Sequence, residues 1–293
     1  MMLIDFILIT FFMRISFFGF FTAGCLVFLS NPVISQQDTG LLKNQTDIEH
    51  YLVSFDGMHI YYEVKGEGDP VVLIHGFIAN GESWKKTVLY TDLLNAGFKV
   101  ITPDLRGNGK SDKPHLLKAY EDDAEAKDIR KLVTKLGLKK YSIVGYSRGS
   151  IIASRLLVLD KRVSRAVLGG MGSDFTDPKW PRREMFYQAL MGRDVKELEG
   201  MVKHVKESGL DQRALAYLQK AQPSTSKTEL SKVKQPVIVV CGDNDKDNGS
   251  APDLANMMPH ATYKEVPGDH NSALRSGEFS KEVIMFFKKI NDQ

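Results

Sequence analysis

The sequence of 293 residues is poor in cysteine and lacks concentrated basic charge. Its two cysteines, Cys25 and Cys241, exclude a disulfide framework and metal sites built from several cysteines. The formal net charge is +3, and no basic block or aromatic-interleaved basic stripe occurs, so we expect no nucleic-acid partner. No internal repeat is present. A hydrophobic share of 43% is that of an ordinary globular protein with a substantial core.

The first 30 residues are almost without charge, with Asp5 as the one acid and Arg14 as the one base. Residues 15–29 form an apolar run with the length of a signal-peptide hydrophobic region, and Arg14 supplies its positive flank. Ser35 offers a small residue before a cleavage site. We therefore predict a cleaved export signal over residues 1–35 and a periplasmic or secreted protein.

Two other interpretations of this segment stay open. Residues 1–30 are long enough to span a bilayer, so an uncleaved segment would anchor the protein, and only then would a membrane be a partner. Cys25 stands in a loose lipoprotein cleavage box, although Thr22 and the apolar residues 26–29 fit that box poorly. Residues 36–49 are polar and aperiodic, which predicts a linker.

Beyond residue 50 the pattern alternates between strands and helices. Asp56-Gly57 between two β-rich runs predicts a hairpin. Short apolar runs, typical of strands covered on both faces, then alternate with amphipathic helical segments, which predicts an α/β fold with a mostly parallel sheet. The strand runs include residues 71–74, 98–102, 166–168, 237–240 and 262–266, and the helical segments include 83–96, 119–136 and 279–290.

The alternation lapses between about residues 174 and 234. Amphipathic helical patterns fill this span, at residues 183–191, 195–207 and 212–221. We predict a helical cap over residues 174–234, inserted into a core made of residues 50–173 and 235–293.

The motif Gly145-x-Ser147-x-Gly149 follows a β-branched run and precedes small and apolar residues suited to a buried helix. This context predicts a nucleophile elbow, a sharp turn that raises the Ser147 hydroxyl above the sheet edge. A Cβ on either glycine would collide with the neighbouring strand or helix. The alternative is a Gly/Ser turn with no chemistry.

A nucleophilic serine needs a base, and three histidines follow the motif. His204 lies among apolar residues of a predicted cap helix, where a surface or packing role is expected. His260 follows Pro259 at a helix end, where capping is the alternative. His270 comes after a strand and a Pro-Gly turn, which places it on a loop at the carboxyl edge of the sheet. We predict His270 as the base.

The acid that orients the base is expected on a loop after a late strand. Asp243, Asp245 and Asp247 all follow the strand that ends at Gly242. This turn lacks the glycine and glutamate positions of an EF-hand loop, which argues against calcium. We select Asp245, with Asp243 and Asp247 as local alternatives and Asp174 as a remote one.

Donors for the developing oxyanion are expected from backbone N–H groups. The run 73–77 ends in His75-Gly76-Phe77, after a predicted strand. The N–H groups of Phe77 and Arg148 are the expected donors.

These motifs together resemble the α/β-hydrolase family, in the family's order and over about residues 50 to 290. The resemblance implies an eight-stranded sheet with helices on both faces beneath a variable cap, and triad roles for Ser147, Asp245 and His270. Arg148, Ser150 and Asp269 depart from common family residues without removing a catalytic group; Arg148 either places a cation near the substrate or packs into the interior. The motifs are His75-Gly76-Phe77, residues 104–114, Gly145-x-Ser147-x-Gly149, Gly242-Asp243-Asn244-Asp245 and Pro267-Gly268-Asp269-His270.

We therefore expect a serine hydrolase that cleaves a small-molecule ester, or less readily an amide or thioester, with no cofactor and no metal. Alternatives with the same triad are a cofactor-free haloperoxidase and a carbon–carbon bond hydrolase; a binding protein without turnover is a third. Serine at the elbow argues against epoxide hydrolase and dehalogenase chemistry, for which the family uses aspartate. The sequence carries no signal for oligomeric state. Aromatic candidates for the substrate pocket are Trp84, Phe175, Trp180 and Tyr187.

Overall fold

The computed structural model of the protein describes residues 50–289. The predicted export signal, its anchor and lipoprotein alternatives and the predicted linker at 36–49 all lie outside the described residues. Within the described part, no helix combines the length and the apolar composition that a bilayer span requires.

Eight strands of the described chain form one sheet in the order β1-β2-β4-β3-β5-β6-β7-β8. β1 and β2 pair antiparallel, as does β2 with β4, and the remaining pairs are parallel. This confirms the predicted fold class and the hairpin, although Phe55 lies in the connecting loop. The strands are β1 (His50–Val53), β2 (His59–Lys65), β3 (Pro70–Ile74), β4 (Lys99–Pro103), β5 (Tyr141–Tyr146), β6 (Val163–Gly169), β7 (Val237–Gly242) and β8 (Ala261–Val266).

Two of the predicted helices are interrupted near their N-terminal ends. Thr87 divides the predicted 83–96 helix because its side chain caps the following helix at the N–H of Tyr90. Asp122 and Asp123, both with left-handed φ, separate the two parts of the predicted 119–136 helix. The helices are α1 (Val88–Asn95), α2 (Ala124–Lys135), α3 (Arg148–Leu159), α4 (Pro181–Leu190), α5 (Glu199–Glu207), α6 (Gln212–Lys220), α7 (Lys227–Leu230), α8 (Ala251–Asn256), α9 (Ser272–Arg275) and α10 (Gly277–Lys289), with 3-10 turns at Gly81–Lys86, Leu117–Tyr120, Ser173–Thr176 and Lys196–Leu198.

Both faces of the sheet are covered, which is why its central strands read as unbroken apolar runs. Val72 and Ile74 face a cluster completed by α2, α3 and α8. Their neighbours Val71 and Leu73 face the opposite cluster, completed by α1 and α10. The two-residue period of the strand therefore separates two apolar layers. Cys241, at the end of β7, is a buried free thiol.

Helices α4, α5 and α6 follow β6 and build apolar clusters of their own. Leu190, Val205 and Leu218 pack in one such cluster, and Phe186 and Leu198 in another. The last residues of the predicted cap pack against the sheet and not in these clusters. Leu230 and Val233, within the predicted span 174–234, pack with the sheet layer that contains α3.

Candidate active site

Ser147 lies between β5 and α3 with φ 54° and ψ −125°. A side chain at positive φ is strained, and such strain persists only where the surrounding fold imposes it. Here the N–H of Ser147 donates to the carbonyl of Gly169, and its carbonyl accepts from the N–H of Ser150. The backbone on both sides of Ser147 is thereby held in place.

The two motif glycines are required by close backbone approaches. A Cβ on Gly145 would lie 2.4 Å from the carbonyl oxygen of Gly149. A Cβ on Gly149 would lie 2.1 Å from the carbonyl oxygen of Ile74, on β3. Both distances are too short for any side chain, so the collisions expected from the sequence are confirmed.

The structure brings the three predicted triad residues together. His270 Nε2 lies 2.9 Å from Ser147 Oγ, and His270 Nδ1 lies 2.8 Å from Asp245 Oδ2. The Asp245 side chain is only 2% exposed, whereas that of His270 is 27% exposed. A buried carboxylate on Nδ1 fixes the tautomer that leaves Nε2 free to accept the serine proton. The geometry is that of an activated nucleophile; the catalytic roles themselves stay predictions.

The other three candidate carboxylates do not contact the His270 ring. Asp243 Oδ1 accepts the N–H of Gly268 at 2.9 Å, which ties the end of β7 to the loop that carries His270. Asp174 is exposed on the 3-10 turn after β6, and Asp247 is exposed at the cavity described below. Asp245 is the carboxylate that contacts His270.

The other two candidate bases lie away from the serine. His204 is exposed on α5, where its Nδ1 lies 3.3 Å from Ser208 Oγ. His260 is exposed before β8, and its carbonyl accepts the N–H of Val237. Neither ring contacts Ser147.

Sequence reasoning missed two residues that hold the His270 loop. The hydroxyl of Tyr146 donates to the carbonyl of His270 at 2.7 Å, and the two rings pack with centroids 5.4 Å apart. Asp269 Oδ1 accepts the N–H groups of Asn271 and Ser272, and these hydrogen bonds hold the pKa of Asp269 below its ordinary value. The departure from the family pattern at Asp269 thus has a local structural role. The position of Tyr146 directly before Ser147 is the sequence signal that could have identified it.

If the chain has the serine-hydrolase activity predicted from its sequence, replacing Tyr146 with Phe is expected to lower kcat about five-fold, with little change in KM. Loss of one buried hydrogen bond is worth about 1 kcal/mol, and here it loosens the base rather than the substrate site. Steady-state kinetics check this, with Tyr263→Phe as the control because that hydroxyl bonds Glu265 on β8. Equal kinetics for the two variants would remove the positioning role.

The N–H groups of Phe77 and Arg148 lie beside the nucleophile and form no hydrogen bond with another described residue. Arg148 is the first residue of α3, where helix N–H groups are unpaired and the helix dipole favours negative charge. A Cβ on Gly76 would lie 3.2 Å from Ser147 Cβ, so glycine permits the loop after β3 to approach the nucleophile. Two free donors at this point are the arrangement expected of an oxyanion hole.

His75 orients one of these donors. The N–H of Leu105 donates to His75 Nε2 at 3.0 Å, so Nδ1 carries the proton and donates to the carbonyl of Gly76 at 2.8 Å. Burial lowers the pKa of His75 and keeps the ring neutral. Because the peptide is trans, fixing the Gly76 carbonyl directs the N–H of Phe77 the opposite way.

The side chain of Arg148 packs into the interior. Its Nη1 and Nη2 donate to the two carboxylate oxygens of Glu125 at 2.8 and 2.5 Å, and Nη2 also donates to the carbonyl of Leu218. Both charged side chains are at most 5% exposed. Of the two possibilities left open by the sequence, the structure shows the interior pair, which links α2, α3 and α6.

A cavity of about 60 Å³ adjoins Ser147 and His270, and residues of α4 and α6 form part of its wall. It is small, and it combines apolar and polar walls. Besides the two catalytic candidates its lining residues are Phe77, Arg148, Ile151, Met171, Trp180, Arg182, Phe186, Gln219, Gln222, Asp247 and Asn248.

Of the four predicted pocket aromatics, only Trp180 lines this cavity, and the expectation for the other three was wrong. Trp84 is 2% exposed and packs with α1 against the far layer of the sheet. Phe175 is fully buried in the layer that contains α3. Tyr187 packs within the insertion, with the Lys220 ammonium 4.9 Å from its ring centroid. Each of these three aromatic side chains packs in an apolar cluster and does not line the cavity.

The fold matches solved structures over most of its length. One is a bromoperoxidase from Bacillus anthracis, with a TM-score of 0.68 and 24% identity over 82% of this chain and 99% of that one. Another is an esterase from Exiguobacterium antarcticum, with a TM-score of 0.68 and 21% identity over 82% of this chain and all of that one, 100%. The family model for the alpha/beta hydrolase fold matches residues 69–200. The chain has the α/β-hydrolase fold. At these identities the structural likeness concerns the fold alone.

Curated relatives of this chain carry several activity names. It is 49% identical over 111 residues to a Synechocystis sp. protein provisionally named a non-heme chloroperoxidase, covering 37% of this chain and 39% of that protein. It is 34% identical over 108 residues to a soluble epoxide hydrolase of Corynebacterium sp., covering 37% and 36%. These alignments thus span little more than a third of either relative. A non-heme haloperoxidase of Rhodococcus erythropolis aligns over 91% of its length at 25% identity, covering 74% of this chain.

Proposed function

We propose that this α/β-hydrolase-fold protein is a serine esterase that cleaves small esters through an acyl-enzyme on Ser147. The observation that carries the proposal is the continuous chain from Ser147 Oγ through His270 to the buried Asp245. The unpaired N–H groups of Phe77 and Arg148 support it.

In the proposed reaction Ser147 Oγ attacks the ester carbonyl while His270 Nε2 takes the hydroxyl proton. The oxyanion accepts hydrogen bonds from the two backbone N–H groups at Phe77 and Arg148, each worth about 100- to 1000-fold in rate. His270 returns the proton to the leaving alcohol as the C–O bond breaks. Water, deprotonated by His270, then attacks the acyl-enzyme and releases the acid and free Ser147. Asp245 holds the His270 tautomer throughout.

The cavity volume supports a short acyl group. One water needs at least about 10–15 Å³ on this measure, so 60 Å³ corresponds to roughly four to six non-hydrogen atoms. We expect kcat/KM for 4-nitrophenyl esters to fall at least about ten-fold from butyrate to octanoate. An octanoate preference in the native enzyme would contradict this.

A matched pair of variants tests whether the cavity sets that limit. Ile151 and Ile152 are both 1% exposed on α3, but Ile151 lines the cavity and Ile152 does not. Ile151→Ala should raise the octanoate-to-butyrate ratio of kcat/KM, because it removes three carbons from the wall. Ile152→Ala should leave the ratio as it was. The same change in both variants would place the limit elsewhere.

A second candidate function is haloperoxidase chemistry, and the names of the relatives favour it. Hydrogen peroxide in place of water would attack the acyl-enzyme and release a peracid, which oxidises bromide to hypobromous acid and returns the carboxylic acid. Bromination of an indicator in the presence of a carboxylic acid, peroxide and bromide, lost in Ser147→Ala, would support it. Ester hydrolysis without bromination would support the esterase proposal and contradict haloperoxidase activity.

A further inference from the structure

Arg182, the second residue of α4, lines the same cavity as Ser147 and His270. Its guanidinium carbon lies 4.7 Å from the centroid of the Phe186 ring. Phe186 in turn packs edge-on against Phe77, with centroids 5.8 Å apart. The cation thus lies over the Phe186 ring, and that ring contacts Phe77, whose backbone N–H is a proposed oxyanion donor.

No carboxylate of the described residues forms an ion pair with the Arg182 guanidinium. It forms no hydrogen bond or ion pair with any residue in the described range, whereas Arg148, in the same cavity wall, is paired with Glu125. Partial burial lowers the pKa of Arg182, and the negative charges of Asp247 and Asp245 oppose that shift from beyond ion-pair distance. A partly desolvated guanidinium without a partner is costly, and a planar carboxylate is the group whose geometry it matches.

A second unsatisfied donor lies in the same wall. Gln222 is 4% exposed, lines the cavity, and its Nε2 has no hydrogen-bond partner among the described residues. Buried amide donors are normally paired, and a ligand is one way to pair this one. Arg148 Nε, in the same wall, is also buried without a partner among the described residues. A guanidinium with no anionic partner beside two unpaired donors indicates a ligand that brings acceptor oxygens.

We propose that the ester cleaved at Ser147 carries a carboxylate, on its acyl or its alcohol group, that binds the Arg182 guanidinium and accepts a hydrogen bond from Gln222. This rests on the proposed esterase function. The cavity limits the distance between carboxylate and scissile carbonyl, so the acyl form corresponds to a half-ester of a dicarboxylic acid of about three or four carbons.

The charged groups around Arg182 define what opposes this binding. Asp245 is committed to His270, and Glu125 to Arg148. Asp247 is the remaining carboxylate of the cavity wall; it is exposed and would repel a bound anion. Asp247→Asn should therefore increase the preference for an anionic ester, the opposite of the effect of losing Arg182.

The test compares anionic and neutral esters of similar size by pH-stat. The acyl arm uses monoethyl succinate against ethyl butyrate, and the alcohol arm uses O-acetylglycolate against ethyl acetate. In native enzyme one arm should favour the anionic ester in kcat/KM by about ten-fold or more, as expected for charge-assisted hydrogen bonds. Which arm shows the preference identifies the group that carries the carboxylate.

The same ratio is then measured in variants. It should fall at least about ten-fold in Arg182→Gln, recover in part in Arg182→Lys and rise in Asp247→Asn. It should stay within about two-fold in Arg193→Gln, since Arg193 is exposed on the insertion and absent from the cavity wall.

The outcomes separate the inference from the function on which it rests. Native enzyme that hydrolyses the neutral esters at least as well as the anionic ones in both arms overturns the inference and leaves the esterase proposal intact. An anionic preference that persists in Arg182→Gln overturns the assignment to Arg182. If none of the four esters, nor 4-nitrophenyl acetate, is hydrolysed, both proposals fall.

Discussion

Replacing Ser147 with Ala is expected to lower kcat for ester hydrolysis by on the order of 10⁵- to 10⁶-fold. The hydroxyl oxygen lies 2.9 Å from the base, and its removal leaves His270 nothing to activate except water that reaches the cavity. The residual rate would come from substrate binding and the oxyanion donors. The measurement is the hydrolysis of 4-nitrophenyl butyrate by purified enzyme, with burst kinetics to detect the acyl-enzyme.

Ser150→Ala is the matched control for this prediction. Ser150 is the third residue of α3 and is fully buried, and its one hydroxyl proton is shared between the carbonyls of Gly145 and Gly169, at 3.0 and 2.8 Å. Loss of the hydroxyl should reduce stability by about 1 kcal/mol but leave a large part of the activity. Activity in Ser147→Ala comparable to that of Ser150→Ala would refute covalent catalysis at Ser147.

Replacing Asp245 with Asn is expected to lower kcat by about 10⁴-fold without unfolding the protein. Asparagine fits the same volume, but its amide donates where the carboxylate accepts, so it stabilises the wrong His270 tautomer. Nε2 would then carry the proton and could no longer accept one from Ser147. Steady-state kinetics and the thermal midpoint together separate this effect from a loss of fold.

Asp253→Asn provides the control, because Asp253 is an exposed aspartate on α8, the helix that follows the same loop. It should retain native activity. Asp243→Asn should fall between the two, since its carboxylate accepts the N–H of Gly268 and holds the His270 loop without touching the ring. Native activity in Asp245→Asn would move the orienting acid to another carboxylate.

The elbow and the triad order could be predicted from the sequence because their requirements are local. Gly145 is needed by backbone contacts within the turn and Gly149 by the adjacent strand β3, and His270 and Asp245 each follow a strand whose end lies at the same sheet edge. Sequence and structure agree there because the turn and the strand ends follow from the regular geometry of a parallel sheet, and side-chain packing does not decide them. The division into a core and a cap at 174–234, and the export signal at 1–35, stay predictions.

The cavity wall could not be predicted, because tertiary packing decides it. Trp84 is large and apolar, and it is buried in the core layer that α1 and α10 complete. Gln222 and Arg182 occupy the wall instead, and nothing in their neighbouring residues distinguishes them from surface polar groups. The Arg148–Glu125 pair joins residues 23 positions apart, and only the docking of α2 on α3 brings them together. The short helix α9 was not predicted because its four residues are too few to show a helical periodicity.

The most direct measurement is labelling of the purified protein with a fluorophosphonate, followed by mass spectrometry of its peptides. This reagent phosphonylates a serine only where a base activates the hydroxyl and donors stabilise the resulting oxyanion. One adduct per chain, on Ser147, with loss of labelling in Ser147→Ala and strong slowing in Asp245→Asn, is the predicted result. An unlabelled native protein, or labelling that survives in Ser147→Ala, would contradict the account.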